Sequence, residues 1–555
     1  MARYAGSWLP AVIGGLFLAA CTDGTGPGQP PLDCSDANTQ TLAVGQHIIL
    51  DPAQAGACVR IPASGAGGAE HLYLPVATQG TVSNGGASAP YAIGGGSPAV
   101  AALAPLRSPL LSAFQRPLPA QAFHSLLRQR ELALSQSPEV ALFDRGRIAQ
   151  LAAPPPVVGD QRTFDVCGTT SCTSFVQTTA TAKVVGARVA VFLDNAAPLP
   201  GYTNADLTRV ADLFDRYLYP IDTTAFGRES DIDGNGVVIV LLTHRVNELN
   251  PVCPNSVILG FFFGADLLAR SPSNSGSNEA EIFYGLVPDP GNVDCTVSEE
   301  FALSHLPATF VHEFQHMISF NQHRLVLGGT SEDTWLNEGL SHFAEELAGR
   351  QVPDVECPVS GSCFNDYLGQ GDVSNAFAYL QSPEDYFLIE PDTSTGKLEE
   401  RGANWLFVRW LADHFAADSV LGTDFTRKLE MTNLVGAANV AFHTGVDFSI
   451  LVPEWQLANY LDDLPGFSEP TARLRYKSWN FRDIAALNSL PFPLVPDSTS
   501  GPSYSHTGIL RAGSGKHVRV VQPPGFTAVD MVLFGGPGQG FPTAVAPRVA
   551  LVRIR

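Results

Sequence analysis

Two histidines four positions apart, His312 and His316, stand inside an apolar stretch formed by Phe310, Val311, Phe314, Met317 and Ile318. On a helix this spacing sets the two imidazoles about 40° apart on one face, with Glu313 on the adjacent flank. Such a pair can hold Zn²⁺ through ring nitrogens at about 2.0–2.1 Å. The Glu beside the first His can then take a proton from water at the same site. The apolar flanks predict a buried helix from which these groups project. A core helix with two hydrogen-bonded histidines satisfies the same pentapeptide, which is short enough to recur by chance.

A catalytic zinc site needs a third protein ligand and an open fourth position. The stretch Trp335 to Leu347 (WLNEGLSHFAEEL) predicts a second helix that carries a candidate. Leu336, Leu340, Phe343 and Leu347 make its apolar face. Glu338, His342 and Glu345 form a separate polar stripe at i, i+4 and i+7. Thr330 and Asp333 fit a capping box at its start and Gly349 fits a stop. Glu338 is the candidate ligand. His342, one turn on, reads either as a hydrogen-bonding support for a ligand or as a partly exposed helix histidine, and Glu345 shares its stripe.

The motif HEFQH followed by WLNEG resembles the gluzincin metallopeptidases, and HEFQHMISF with WLNEGLSHFAEEL is most similar to the hyicolysin family of bacterial neutral metallopeptidases. The upstream segment Phe226-Gly227 to Asp231-Ile232-Asp233-Gly234-Asn235-Gly236, followed by a β-branched run, is similar to that family as well. The likeness covers about residues 220 to 350. It implies an α+β, zincin-like fold with a mixed sheet and active-site helices. It implies one catalytic Zn²⁺ on His312, His316 and Glu338, with Glu313 as general base, and a protein or peptide as substrate. Twenty-one residues lie between His316 and Glu338, slightly more than in gluzincin aminopeptidases, and no Gly-Ala-Met-Glu-Asn-like segment occurs. The resemblance therefore points to an endopeptidase. A Tyr or His usually stabilises the oxyanion in such sites, and Tyr367, Tyr379, Tyr386 and Tyr460 are the candidates. The alternative is a cell-surface binding or adhesion protein with a catalytically silent core of this kind. Against it, all four residues that the chemistry requires occur together.

Asp231-x-Asp233-x-Asn235-Gly236 also fits the first half of an EF-hand calcium loop. Position 12 is Leu242 in place of Glu, and a strand pattern follows in place of a helix, which excludes a standard EF-hand. The segment reads either as a turn held by Asp and Asn side chains or as a structural Ca²⁺ site.

The start of the chain reads as an export signal, with Arg3 ahead of the apolar run Leu9 to Ala20. That run is too short to span a bilayer. It ends in Leu18-Ala19-Ala20-Cys21, which resembles the bacterial lipobox and implies lipidation of Cys21. The chain is then anchored to the cell envelope, or secreted if the lipobox is unused. Thr22 is not the Asp linked to inner-membrane retention, so the outer membrane or cell surface is expected. Carboxylates outnumber Lys plus Arg by 54 to 33. This balance argues against a nucleic-acid partner and leaves the lipid as the expected membrane contact.

Setting Cys21 aside, eight of the nine cysteines remain, an even number in an exported chain. They fall into the sequential couples Cys34–Cys58, Cys167–Cys172, Cys253–Cys295 and Cys357–Cys363, which we expect as disulfides. The expected organisation is a signal peptide (1–20), a flexible tether (21–32), a small N-terminal β module (33–100), a connector or pro-segment (101–155), the zincin-like domain (156–485) and a C-terminal β module (486–555). Within these, Ala122 to Ser135 predicts one amphipathic helix, Lys183 to Leu193 strands around a turn, and Asn204 to Tyr219 a helix. Val237 to Thr243 predicts a buried central strand. Glu400 to Phe415 predicts a core helix without assigned chemistry. The sequence carries no signal for oligomeric state.

Overall fold

The computed structural model describes residues 39–555, apart from 56–57, 82–86, 96–118, 142–152, 251–256, 292–295, 370, 392–395, 469–471, 502 and 536–542. The N-terminal part contributes strands β1 (His47–Leu50), β2 (Cys58–Ile61), β3 (Ala69–Ala77) and β4 (Ser88–Gly95), then helix α1 (Pro119–Ser135). Strands β5 (Gln161–Cys167), β6 (Phe175–Val185), β7 (Val189–Asp194), β8 (Val238–Leu242), β9 (Gly260–Phe262) and β10 (Ile282–Gly285) build the central sheet. The helices that shape the site are α2 (Glu299–Phe320), α3 (Thr334–Gln351), α4 (Asp372–Gln381), α5 (Leu398–Phe415), α6 (Thr423–Glu430) and α7 (Phe448–Leu461). Strands β11 (Asp497–Thr499), β12 (Ser505–Arg511), β13 (Val518–Gln522), β14 (Val529–Gly535) and β15 (Pro547–Arg553) close the chain. The architecture is α+β.

The central sheet runs β5-β6-β7-β8-β10-β9. All five residues of β8 are buried, and it pairs in parallel with β7 and β10. A strand covered on both faces needs such an unbroken apolar run. β9 is antiparallel to β10 and lies at the sheet edge. Aromatic side chains lock α2 to the sheet: Phe310 stacks on Phe214 at 4.4 Å and on Phe283 at 4.8 Å. Helix α3 begins at Thr334 with Asp333 as its N-cap, and no side chain caps it. The expected Thr330–Asp333 capping box is absent, because buried Glu332 accepts from the Asp333 N–H instead. Gly349 lies inside α3 rather than ending it. A Cβ there would stand 2.9 Å from Leu368, so the small residue serves a close contact.

The strands of the two chain ends share two sheets, ordered β1-β15-β3-β13-β11 and β12-β4-β14-β2. This corrects the expectation of separate modules at 33–100 and 486–555. Four short strands cannot cover both faces of a sheet alone, so β3 sits between β15 and β13, and β4 between β12 and β14. β3 shows the period-two logic: Tyr73 and Ala77 enter the sandwich core, while Leu72, Leu74 and Val76 join the larger core. Residues 32–555 form one compact unit.

Disulfides join Cys167 to Cys172 and Cys357 to Cys363. Cys58 is also disulfide-bonded; its expected partner Cys34 lies outside the described residues, as do Cys21, Cys253, Cys295, the signal segment and the tether. Among the described residues no helix is long and apolar enough to cross a membrane.

Candidate metal centre and cleft

Helix α2 opens on a Ser298 cap, which accepts from the Phe301 N–H, and its last eleven residues are all buried. His312 and His316 project from this part with ring centroids 4.9 Å apart. Glu338 arrives from α3 and lies between them. One carboxylate oxygen is 3.6 Å from His312 Nε2 and the other 3.7 Å from His316 Nε2. All three side chains are buried. Among the described residues Glu338 Oε2 accepts no hydrogen bond, although Arg401 Nη1 of α5 lies 3.7 Å away. A buried carboxylate oxygen without a donor is costly. Two imidazoles and one such carboxylate match the donor set that holds catalytic zinc, so these residues fit the ion. Burial, with Arg128 adding to it, pushes His316 well below the ordinary histidine range, towards the neutral form that ligates.

Each histidine is held from behind. Glu345 Oε1 lies 2.7 Å from His312 Nδ1 and 3.0 Å from His342 Nδ1. Asp372 at the start of α4 lies 2.7 Å from the same His342 nitrogen. Burial works against a charged His342, yet Asp372 and Glu345 raise it to about 10. Ser341 Oγ lies 3.0 Å from His316 Nδ1 and 3.3 Å from its Nε2, and donates to Gln315 Oε1 at 2.5 Å. Gln315 donates in turn to Glu430 of α6 at 2.6 Å. Hydrogen bonds of this kind orient ligating histidines and tune their basicity.

Glu313 faces the other way, towards the sheet edge. Its Oε2 accepts from the Phe262 N–H of β9 at 2.9 Å, and Oε1 lies 3.4 Å from His124 Nδ1 of α1. Burial alone would raise its carboxyl, but His124, then His316 and His312, hold it at about 2. The carboxylate is therefore ionised at neutral pH.

A cleft of roughly 350 Å³ opens on this group, lined by His124, His305, His312, Glu313, His342, Tyr367 and Arg401 among others. Of the four candidate tyrosines, Tyr367 lines it, with a hydroxyl that makes no hydrogen bond among the described residues. The other three are corrected. Tyr379 OH accepts from Gln456 while its ring stacks on Trp455, Tyr386 donates to Glu399, and Tyr460 lies beneath the Arg482 guanidinium. Asp231, Asp233 and Asn235 form a separate turn ahead of β8.

Sequence reasoning did not single out His124, Arg401, Ser341 or Asp372. The stretches holding His124 and Arg401 read as a connector and as a core helix. Arg401 follows Glu399 and Glu400 at the charged head of that helix, where the pattern does not set it apart from its neighbours.

No family model matches the chain. A neutral metalloprotease, ShpI, of Staphylococcus hyicus is 28% identical over 148 residues, which is 26% of this chain and 31% of the relative. The chain thus matches less than a third of that relative's length, and the likeness reaches a metallopeptidase without singling out the hyicolysin family. A crystal structure of a point mutant of an M1 zinc metallopeptidase from Deinococcus radiodurans covers 53% of this chain and 51% of its own at 16% identity, with a TM-score of 0.29. At that score the match carries no argument.

Proposed function

We propose that the chain is a zinc-dependent endopeptidase. The observation that carries this reading is the seat of Glu338 between His312 and His316, with an ionised Glu313 that lines one cleft together with His312. His312, His316 and Glu338 would hold the ion, which supplies a Lewis acid for the scissile carbonyl and for water. Glu313 takes the proton of the attacking water and returns it to the leaving amine. Tyr367 offers its unpartnered hydroxyl to the developing oxyanion. The distant likeness to a neutral metalloprotease supports the same reading. Metal analysis and casein cleavage with and without a chelator test it. Glu313→Ala should retain zinc and lose cleavage. Full chelator-sensitive activity in that variant would sink the mechanism.

In this reading the protein is exported and anchored through Cys21, and its membrane contact is the lipid. The silent adhesion protein remains the rival, and cleavage of a mixed peptide library separates the two.

The choice between connector and pro-segment goes to the pro-segment. An extended substrate adds to a sheet edge through backbone hydrogen bonds. Here the edge is already taken by α1, whose Arg128 binds the Phe262 carbonyl and whose Glu131 accepts from the Gly264 N–H at 2.6 Å. His124 of the same helix reaches Glu313. The chain as it stands is then a latent form, with α1 lying where substrate must bind.

A further inference from the structure

Three carboxylates with no role in the cleft meet at the turn that leads into β8. Asp231, Asp233 and Glu281 each offer one oxygen, and these oxygens all lie within 4.8 Å of one another. Glu281 comes from elsewhere in the sequence, immediately before β10. β10 pairs in parallel with β8, and the Ile239 N–H donates to the Glu281 carbonyl at 2.7 Å. The topology therefore seats the start of β10 beside the turn that precedes β8. No spacing in the sequence announces that meeting.

Glu281 is 2% exposed. Its Oε1 accepts from Ser230 Oγ at 2.5 Å and from the Ile232 N–H at 2.9 Å, so the carboxyl group is held in one orientation. Among the described residues its Oε2 has no donor. Burial lifts its carboxyl to about 7, with Asp233 adding to the rise. The turn itself is Asp231-Ile232-Asp233-Gly234-Asn235-Gly236, with Gly234 and Gly236 at φ of 69° and 75°. Their left-handed backbone wraps the acidic side chains round one point. The neighbouring cation, Arg162, lies 3.7 Å from Asp233 Oδ2. It also donates to the Asn278 carbonyl and packs over the Phe164 ring, which ties it to the sheet.

We infer that Asp231, Asp233 and Glu281 bind a calcium ion, with Glu281 supplying from the neighbouring strand the carboxylate that Leu242 cannot. The donors are all oxygen, two on the turn and one from the residue before β10. That set suits calcium, which accepts irregular six- to eight-fold oxygen coordination, better than magnesium, which demands a near-ideal octahedron. It suits zinc least, for want of nitrogen or sulfur. The ion would clasp the turn to the head of β10.

The site is separate from the zinc centre, so its test does not rest on peptidase activity. Thermal unfolding of the metal-stripped full chain, with and without CaCl₂, reads it. Ligand linkage predicts a rise of roughly 2–4 °C in millimolar CaCl₂ for the wild type, and a smaller one in MgCl₂. Asp231 is exposed, so Asp231→Asn should fold and lose most of the calcium shift; Glu281→Gln should lose it too. His312→Ala should keep it. No shift in the wild type, or an undiminished one in Asp231→Asn, would overturn the proposal. Calcium titration calorimetry on folded Asp231→Asn is an independent check, since retained wild-type affinity there also overturns it.

Discussion

Arg128 donates to the carbonyl oxygen of Phe262 at 2.6 Å. The N–H of the same Phe262 donates to Glu313. Both backbone groups of this residue on the edge strand are thus engaged by side chains of the protein, and an incoming peptide must displace one of them. A hydrogen bond to a charged group is worth about 1.5–3 kcal/mol. Removing Arg128 and Glu131 together should therefore raise the initial rate of casein cleavage about tenfold or more over the intact chain. Gln129→Ala, exposed on the same helix, should leave the rate unchanged. Equal rates for the double variant and the wild type would remove the pro-segment reading while leaving the zinc site intact.

Glu345 is not one of the three candidate ligands, but it fixes one of them, His312, through Nδ1 at 2.7 Å. Glu345→Ala should weaken zinc binding about 10- to 100-fold, as loss of a carboxylate behind a ligating histidine commonly does. Competition with a chromophoric chelator measures it. Asp372→Asn, one step further back through His342, should cost less. If Glu345→Ala binds zinc like the wild type, the carboxylate does not orient His312.

The parts of the site legible in advance were those that one helix can encode. His312, Glu313 and His316 share a turn, and Glu338, His342 and Glu345 share a stripe, so periodicity alone groups them. What was not legible depends on elements distant in sequence that meet in space. Arg401 reaches Glu338 from α5, Asp372 reaches His342 from α4, and Glu281 reaches Asp231 across a strand pairing. The same limit explains the β modules. Alternation in Ala69–Ala77 marks a strand, but nothing in it says that its neighbours are β13 and β15, more than four hundred residues on. Local pattern fixes faces; it does not choose partners.

Glu384 ties the sandwich to the helical part. Its carboxylate accepts from Tyr91 OH of β4 at 2.8 Å and from Lys516 at 2.9 Å, and lies 3.0 Å from His506 Nε2 of β12. Burial would raise this group, yet His506 and Lys516 bring it down to about 2 from an ordinary 4.5. A depressed carboxylate stabilises the fold above its unfolded pKa, and that stability is lost as pH falls through the folded one. Between about pH 4.5 and 2 the melting temperature should therefore drop, with on the order of 2–3 kcal/mol at stake. Glu384→Gln should be less stable than the wild type at pH 7 and lose less on acidification over that window. Parallel melting curves across the window would show that Glu384 is not the linked group.

Helices α4 and α5 come into close backbone contact at Gly402. A Cβ there would stand 2.3 Å from the Asn375 carbonyl carbon and 2.5 Å from the Ala376 nitrogen. Both are backbone atoms, which cannot swing aside as a side chain can, so Gly402→Ala must push the helices apart. Overpacking of this kind costs about 1–3 kcal/mol, which outweighs the gain in helix propensity of about 1 kcal/mol from replacing Gly by Ala. The shift would fall on both helices that serve the site, since α4 starts at Asp372 and α5 carries Arg401 one residue away. Gly402→Ala should lower the melting temperature and weaken zinc binding together, whereas Gly445→Ala, where a Cβ meets nothing within 4 Å, should affect stability alone through its positive φ. Unchanged zinc affinity in a destabilised Gly402→Ala would mean that the α4–α5 spacing supports the fold but not the metal centre.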